Sequence, residues 1–231
     1  MAPDLARDHH VLALDQRGHG DTGWAPAGGY RRQDFVADVV AFLDDRGWRA
    51  AALVALSLGG LNAIACAAAE PARVRGLVVV DVVPTIAPAG GEAIRAQLAV
   101  RYFASFDEAV ERALAFNPRR TRANIEERLR HALRQGADGR WTYKFDPAIG
   151  GGGMTSDLER LWDDVRRIRC PALLVRGAES AILTSEGAAR FTRELPGAEC
   201  AEVPGAGHSV MGDNPTGFLA AVRPFLARHR L

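Results

Sequence analysis

The chain has 231 residues, 48% of them apolar, enough for one large domain with a buried core and against global disorder. Twenty-nine basic residues balance 28 acidic ones, so a formal charge of +1 gives no electrostatic reason to expect nucleic acid or an anionic membrane as partner. Three scattered cysteines, Cys66, Cys170 and Cys200, form no CxxC pair and read as buried thiols in a reducing cytoplasm. The opening MAPDLARDHH lacks the basic segment and apolar run of a signal peptide. The apolar stretch 52–69 contains two adjacent glycines, Ser57 and Asn62, so a strand, a turn and a helix are expected there and no membrane span.

The first expected element is a buried strand, Val11–Leu14, ending at Asp15 and followed by the Gly-rich loop RGHG. Residues 33–46 place Phe35, Val36, Val39, Val40 and Leu43 at helical spacing, with Gly47 as a stop. Ala51–Leu56 reads as a second buried strand, Gly59–Ala69 as a helix of small residues, and Val74–Val80 as a third strand ending at Asp81. Strands that are apolar throughout and separated by helices predict a parallel sheet covered on both faces.

From Pro84 to Asp164 the pattern changes to amphipathic, Arg- and Glu-rich helices, predicted at 92–104, 107–116 and 122–135. Trp141–Phe145 reads as extended and Gly150–Gly153 as a flexible joint. The strand pattern resumes at Pro171–Arg176, followed by a helix at 185–195, a strand at Glu199–Val203 and an amphipathic helix at 215–229. The expected division is therefore a core at 1–83, a helical insertion at 84–164 and the rest of the core at 165–231.

Two residues carry candidate chemistry. Ser57 lies in Ala55-Leu56-Ser57-Leu58-Gly59-Gly60, between a buried strand and a helix. A turn that tight needs small residues two before and two after the serine, and it lifts the hydroxyl to a helix N-terminus, where backbone N–H groups favour developing negative charge. The bland alternative is a serine beside a helix N-cap. His208, in the loop Pro204-Gly205-Ala206-Gly207-His208 after the last strand, sits where a general base can reach such a serine. The other five histidines have no comparable setting, and Arg17 reads as a brace between neighbouring loops.

The serine turn, the RGHG loop after an early strand and the PGAGH loop before the last helix occur in the order found in α/β-hydrolases. The chain resembles the lid-bearing bacterial members of that superfamily, over its whole length. The resemblance implies a mostly parallel sheet with helices on both faces, an inserted helical lid, and hydrolysis of a small carboxylic ester through an acyl-enzyme without cofactor or metal. A serine at position 57 argues against the dehalogenases and epoxide hydrolases of the superfamily, whose nucleophile is an aspartate.

In most of that family the acid follows the strand corresponding to 171–176, at the place of Ser180, so the usual aspartate is missing. A subset draws its acid from the end of the preceding sheet strand, where Asp81 stands; Glu179 is the alternative. The oxyanion hole needs the backbone N–H of Leu58 and a second donor from a loop after an earlier strand. That loop and the first three strands, the third lying between 11–14 and 51–56 in the family's strand order, do not precede Val11, so Met1 reads as an internal methionine or a fragment edge. Two rival expectations stand beside ester hydrolysis. One is a C–C hydrolase or lactonase with the same triad; the other is a silent relative that binds a small molecule. Oligomeric state is not legible in the sequence.

Overall fold

The computed structural model describes residues 2–150 and 157–231. A short helix α1 (Ala2–Leu5) leads into an irregular segment, then α2 (Arg32–Asp45), β1 (Ala51–Leu56), α3 (Leu58–Ala69) and β2 (Val74–Val80). An insertion follows, with α4 (Pro88–Ala99), β3 (Tyr102–Phe103), α5 (Phe106–Phe116), α6 (Arg122–Ala132), β4 (Leu133–Gln135), β5 (Trp141–Tyr143) and a 3-10 turn at Pro147–Gly150. The chain then returns through α7 (Leu158–Arg167), β6 (Ala172–Gly177), α8 (Ser185–Glu194), β7 (Glu199–Val203), α9 (Val210–Asp213) and α10 (Pro215–His229).

The main sheet runs β1-β2-β6-β7, with every neighbouring pair parallel. Successive side chains of a strand point to opposite faces, and in β2 and β6 both faces are covered. Leu77, Val79 and Leu174 pack with Ile64, Trp162, Val165 and Phe191 of the helices on one side. Val78, Val80, Leu173 and Val175 pack with Phe218, Val222 and Phe225 of α10 on the other. That explains why β2 and β6 show no polar alternation. Helix α3 is the most enclosed: it lies against β1, β2, α2 and α7, and its glycines and alanines let all four approach closely. Among the described residues no helix is long and apolar enough to cross a membrane.

Three expectations about strands and helices are corrected. Val11–Leu14 is not a strand, and Leu12 and Leu14 are 44% and 40% exposed. A strand is held by its neighbour's N–H and C=O groups, and among the described residues no strand pairs with this segment. The predicted helix 92–104 ends at Ala99, and the predicted helix 122–135 ends at Ala132. Residues 102–103 and 133–135 instead flank β5 in a small antiparallel sheet, β3-β5-β4. This sheet and α5–α6 enclose a separate core of Phe103, Val110, Ile125, Leu129 and Leu133. The expected boundary at Asp164 falls inside α7, whose Leu161, Trp162 and Val165 belong to the main core. The joint expected at Gly150–Gly153 lies, from residue 151 on, outside the described residues.

Phe225, fully buried under the sheet, should cost about 3–5 kcal/mol when cut to alanine. Leu12→Ser should change stability by about 0.5 kcal/mol or less, because the side chain is exposed and unpaired. Urea unfolding of the two variants checks the contrast; a large loss at Leu12 would restore the strand.

Candidate active site

Ser57, Asp81 and His208 stand at the C-terminal rim of the sheet, each delivered by a different loop. Ser57 ends β1 and opens α3 with φ 55° and ψ −124°, a backbone conformation that costs a non-glycine residue on the order of 1–3 kcal/mol. The turn closes because Ala55 and Gly59 face each other: a Cβ on Gly59 would lie 3.8 Å from that of Ala55. Gly60 touches the backbone oxygen of Ala55 and the side chains of Val79 and Val82, leaving no room for a larger residue. Asp81 leaves β2 with φ 52°. Among the described residues only Ser57, Asp81 and Arg230 are non-glycine residues with positive φ. Two of those three strained positions fall in this site.

The contacts run in a line. His208 Nε2 lies 2.9 Å from Ser57 Oγ, and His208 Nδ1 lies 2.8 Å from Asp81 Oδ2. The carboxylate can only accept, so the neutral imidazole carries its proton on Nδ1 and offers Nε2 to the serine hydroxyl. Asp81 is completely buried, and its charge is held by hydrogen bonds. Gly177 N donates to Oδ1 at 2.9 Å, and Ser180 Oγ donates to Oδ2 at 2.5 Å. Ser180 Oγ itself accepts from the backbone N–H groups of Ile182 and Leu183, at 3.0 and 3.1 Å, which leaves its own proton directed at Asp81. Gly177 is required a second way: a Cβ there would collide with the carbonyl oxygens of Ala206 and Gly207. The histidine loop therefore lies directly across the end of β6.

Of the sequence-derived candidates, Ser57, His208 and Asp81 come together, whereas Glu179 does not join them. Its exposed carboxylate pairs with Arg119 Nη2 at 2.6 Å, and only its backbone N–H touches the histidine loop, at Ala206 O. Leu58 is the first residue of α3, so its N–H has no helical carbonyl to meet and sits one residue past the serine. Arg17 is a brace: it grips Asp38 through Nε at 2.5 Å and Nη2 at 2.6 Å, and donates to Gly29 O. Burial pushes the Cys66 thiol up to about 11 and keeps it protonated near neutral pH.

Sequence reasoning saw Ser180 only as a missing aspartate and did not see its hydroxyl as a donor to Asp81. A polar residue left at the family's acid position was the available signal. It also missed the network in which Arg32 binds Asp157 at 2.9 Å and Asn62 at 2.9 Å, while Asn62 donates to Gln16. This chain of contacts fixes the loop after residue 14 to the helix that follows the serine. Two surface clefts, of about 440 and 380 Å³, lie elsewhere, against α10 and beside Trp24, and neither is lined by the three residues.

A covered parallel sheet that carries a serine turn, a carboxylate and a histidine loop to one rim has the architecture of an α/β-hydrolase. The chain belongs to the alpha/beta hydrolase family, whose sequence pattern matches residues 1–222. It is 32% identical to the esterase Rv0045c of Mycobacterium tuberculosis over 226 residues, 94% of this chain and 74% of the relative. It is 30% identical to the 2-(acetamidomethylene)succinate hydrolase of Mesorhizobium japonicum over 230 residues, 94% of this chain and 78% of that one. A crystal structure of E-2-(acetamidomethylene)succinate hydrolase superposes with a TM-score of 0.84 at 28% identity, covering 97% of this chain and 85% of that chain.

The glycine at 177 gives a direct test of this geometry. Gly177→Ala should push the histidine loop off β6, cost about 1–3 kcal/mol, and abolish the low-field proton resonance of a carboxylate-bound imidazole N–H. An unchanged resonance in the folded variant would show that the loop does not depend on this contact.

Proposed function

We propose that this protein is a serine hydrolase of small carboxylic esters, with Ser57 as nucleophile, His208 as general base and acid, and Asp81 as the group that orients the imidazole. The observation that carries the reading is the unbroken line from Asp81 through His208 to Ser57, at 2.8 and 2.9 Å, on a strained serine turn. Ser57 Oγ attacks the ester carbonyl as His208 Nε2 takes its proton; the same nitrogen then protonates the departing alcohol. Water, deprotonated by His208, hydrolyses the acyl-enzyme. The N–H of Leu58, at the positive end of α3, supplies one donor to the oxyanion. We read the insertion from Pro84 as the lid over this site.

The esterase among the relatives favours an ester substrate. The 2-(acetamidomethylene)succinate hydrolase supports a second reading, in which the same residues cleave an acetamido compound. Short p-nitrophenyl esters assayed beside N-acyl enamines separate the two.

Ser57→Ala should abolish labelling by a fluorophosphonate and remove at least about 10³-fold of the ester rate. Continued labelling of the variant would end the assignment. Asp81→Asn should keep the fold yet lower kcat by about 10⁴-fold, because the amide favours the wrong imidazole tautomer. Glu179→Gln should be nearly silent, and Ser180→Asp should partly rescue Asp81→Asn. A crippled Glu179→Gln enzyme beside an active Asp81→Asn enzyme would move the acid to the later strand.

A further inference from the structure

Five residues beyond His208, at the end of α9, Asp213 is a fully buried carboxylate outside the line of contacts described above. Its Oδ2 accepts from Gly207 N at 3.0 Å. Its Oδ1 accepts from Asn117 Nδ2 at 2.8 Å and from Arg120 Nε at 3.0 Å. Both of these donors belong to the turn between α5 and α6 of the insertion. Arg120, with a side chain only 9% exposed, also sends Nη2 to Ser209 O at 3.4 Å. The N–H of the residue before His208 and the carbonyl of the residue after it are thus both held by this one cluster. Gly212 makes the room, since a Cβ there would collide with the Arg120 guanidinium. Neighbouring Arg119 passes beside Gly207 and pairs with Glu179 on the loop that carries Ser180.

We propose that Asp213 is a positioning residue for His208 and that Arg120 and Asn117 make the insertion part of the same device, so the imidazole is aligned only while the 117–120 turn is docked. The proposal rests on the reading of His208 as the base. A buried ion pair contributes little net stability, since apolar replacements often do as well; its strength lies in fixing geometry. A base must be held within about 0.5 Å of its working position, and a loop rich in glycine does not achieve that alone.

Among the described residues, the charged groups around His208 are Asp81 at the end of β2, Asp213 on its own loop, Arg119 and Arg120 from the insertion, and Glu179 after β6. Arg120 and Asp213 cancel as long as both are present. Arg120→Met leaves the buried carboxylate uncompensated, favours the imidazolium and moves the acid limb of the kcat/KM profile to higher pH. Asp213→Asn leaves the guanidinium uncompensated and moves that limb to lower pH. Each shift should be at least about half a pH unit, and the double variant should return close to the parent. All three should lose about 10²-fold in kcat with KM little changed, as expected for a misplaced base. Arg120→Lys should keep the limb in place while losing kcat, because the charge remains and the arm to Ser209 is gone.

Limb shifts of opposite sign with a fall in kcat support the proposal. Shifts of one sign, or no shift beside a lowered unfolding midpoint, would reduce the cluster to a structural brace and overturn it. If the single variants do not fold, the double variant, which removes both charges, decides through kcat. If the parent chain shows no Ser57-dependent turnover, the proposed function has failed. The low-field imidazole resonance then still decides the positioning claim: its loss in Asp213→Asn supports the claim, and its persistence overturns it.

Discussion

The buried carboxylate of Asp81 is the constraint around which the rim of this molecule is arranged. A carboxylate with no exposed surface is sustained only if donors replace the water it has lost. Here they come from three places in the chain: the end of β6 through Gly177, the following loop through Ser180, and the histidine loop through His208. The need to satisfy one group brings three loops together, and the imidazole is oriented as a result. The pairing of β2 with β6 runs to Val80 and Val175, which leaves Asp81 at the end of β6, where Gly177 N reaches its carboxylate. Sheet order and site geometry are therefore one fact seen at two scales.

Backbone strain concentrates at the same rim. Ser57 and Asp81 both hold positive φ at strand ends. Ser57 N donates to Val80 O, and Asp81 N donates to Val175 O, so each strained residue is still hydrogen-bonded to the adjacent strand. Pre-set geometry of this kind lets a hydroxyl meet an imidazole without reorganisation.

What was legible in the sequence is what depends on local pattern. The boundary of β2 follows from an apolar run that stops at Asp81, and β7 and the amphipathic α10 also lie where the residues put them. Ser57 and His208 stand out because their glycine settings are local too. The failures are non-local. Val11–Leu14 has the composition of a buried strand, but composition does not say whether a partner lies alongside. Leu133 continues the helical spacing of Ile125 and Leu129, yet the pull of β5 turns residues 133–135 into a strand. Asp213 and Arg120 lie far apart in the chain, and no motif in either segment announces the other.

The separate core of the insertion has a bearing on how the chain reaches this structure. Parallel pairing of β2 with β6 joins Leu77 to Ala172 across the entire inserted segment, the longest span the main sheet must close. Closing a flexible loop of that length is entropically costly and slow, and non-local pairings set the pace of folding. Phe103, Val110, Ile125 and Leu129 can collapse among themselves before that closure, through contacts that are short in sequence. Once they have done so, residues 100–143 behave as one compact body within that span. A cluster built from contacts short in sequence thus shortens the effective span that β2 and β6 must close.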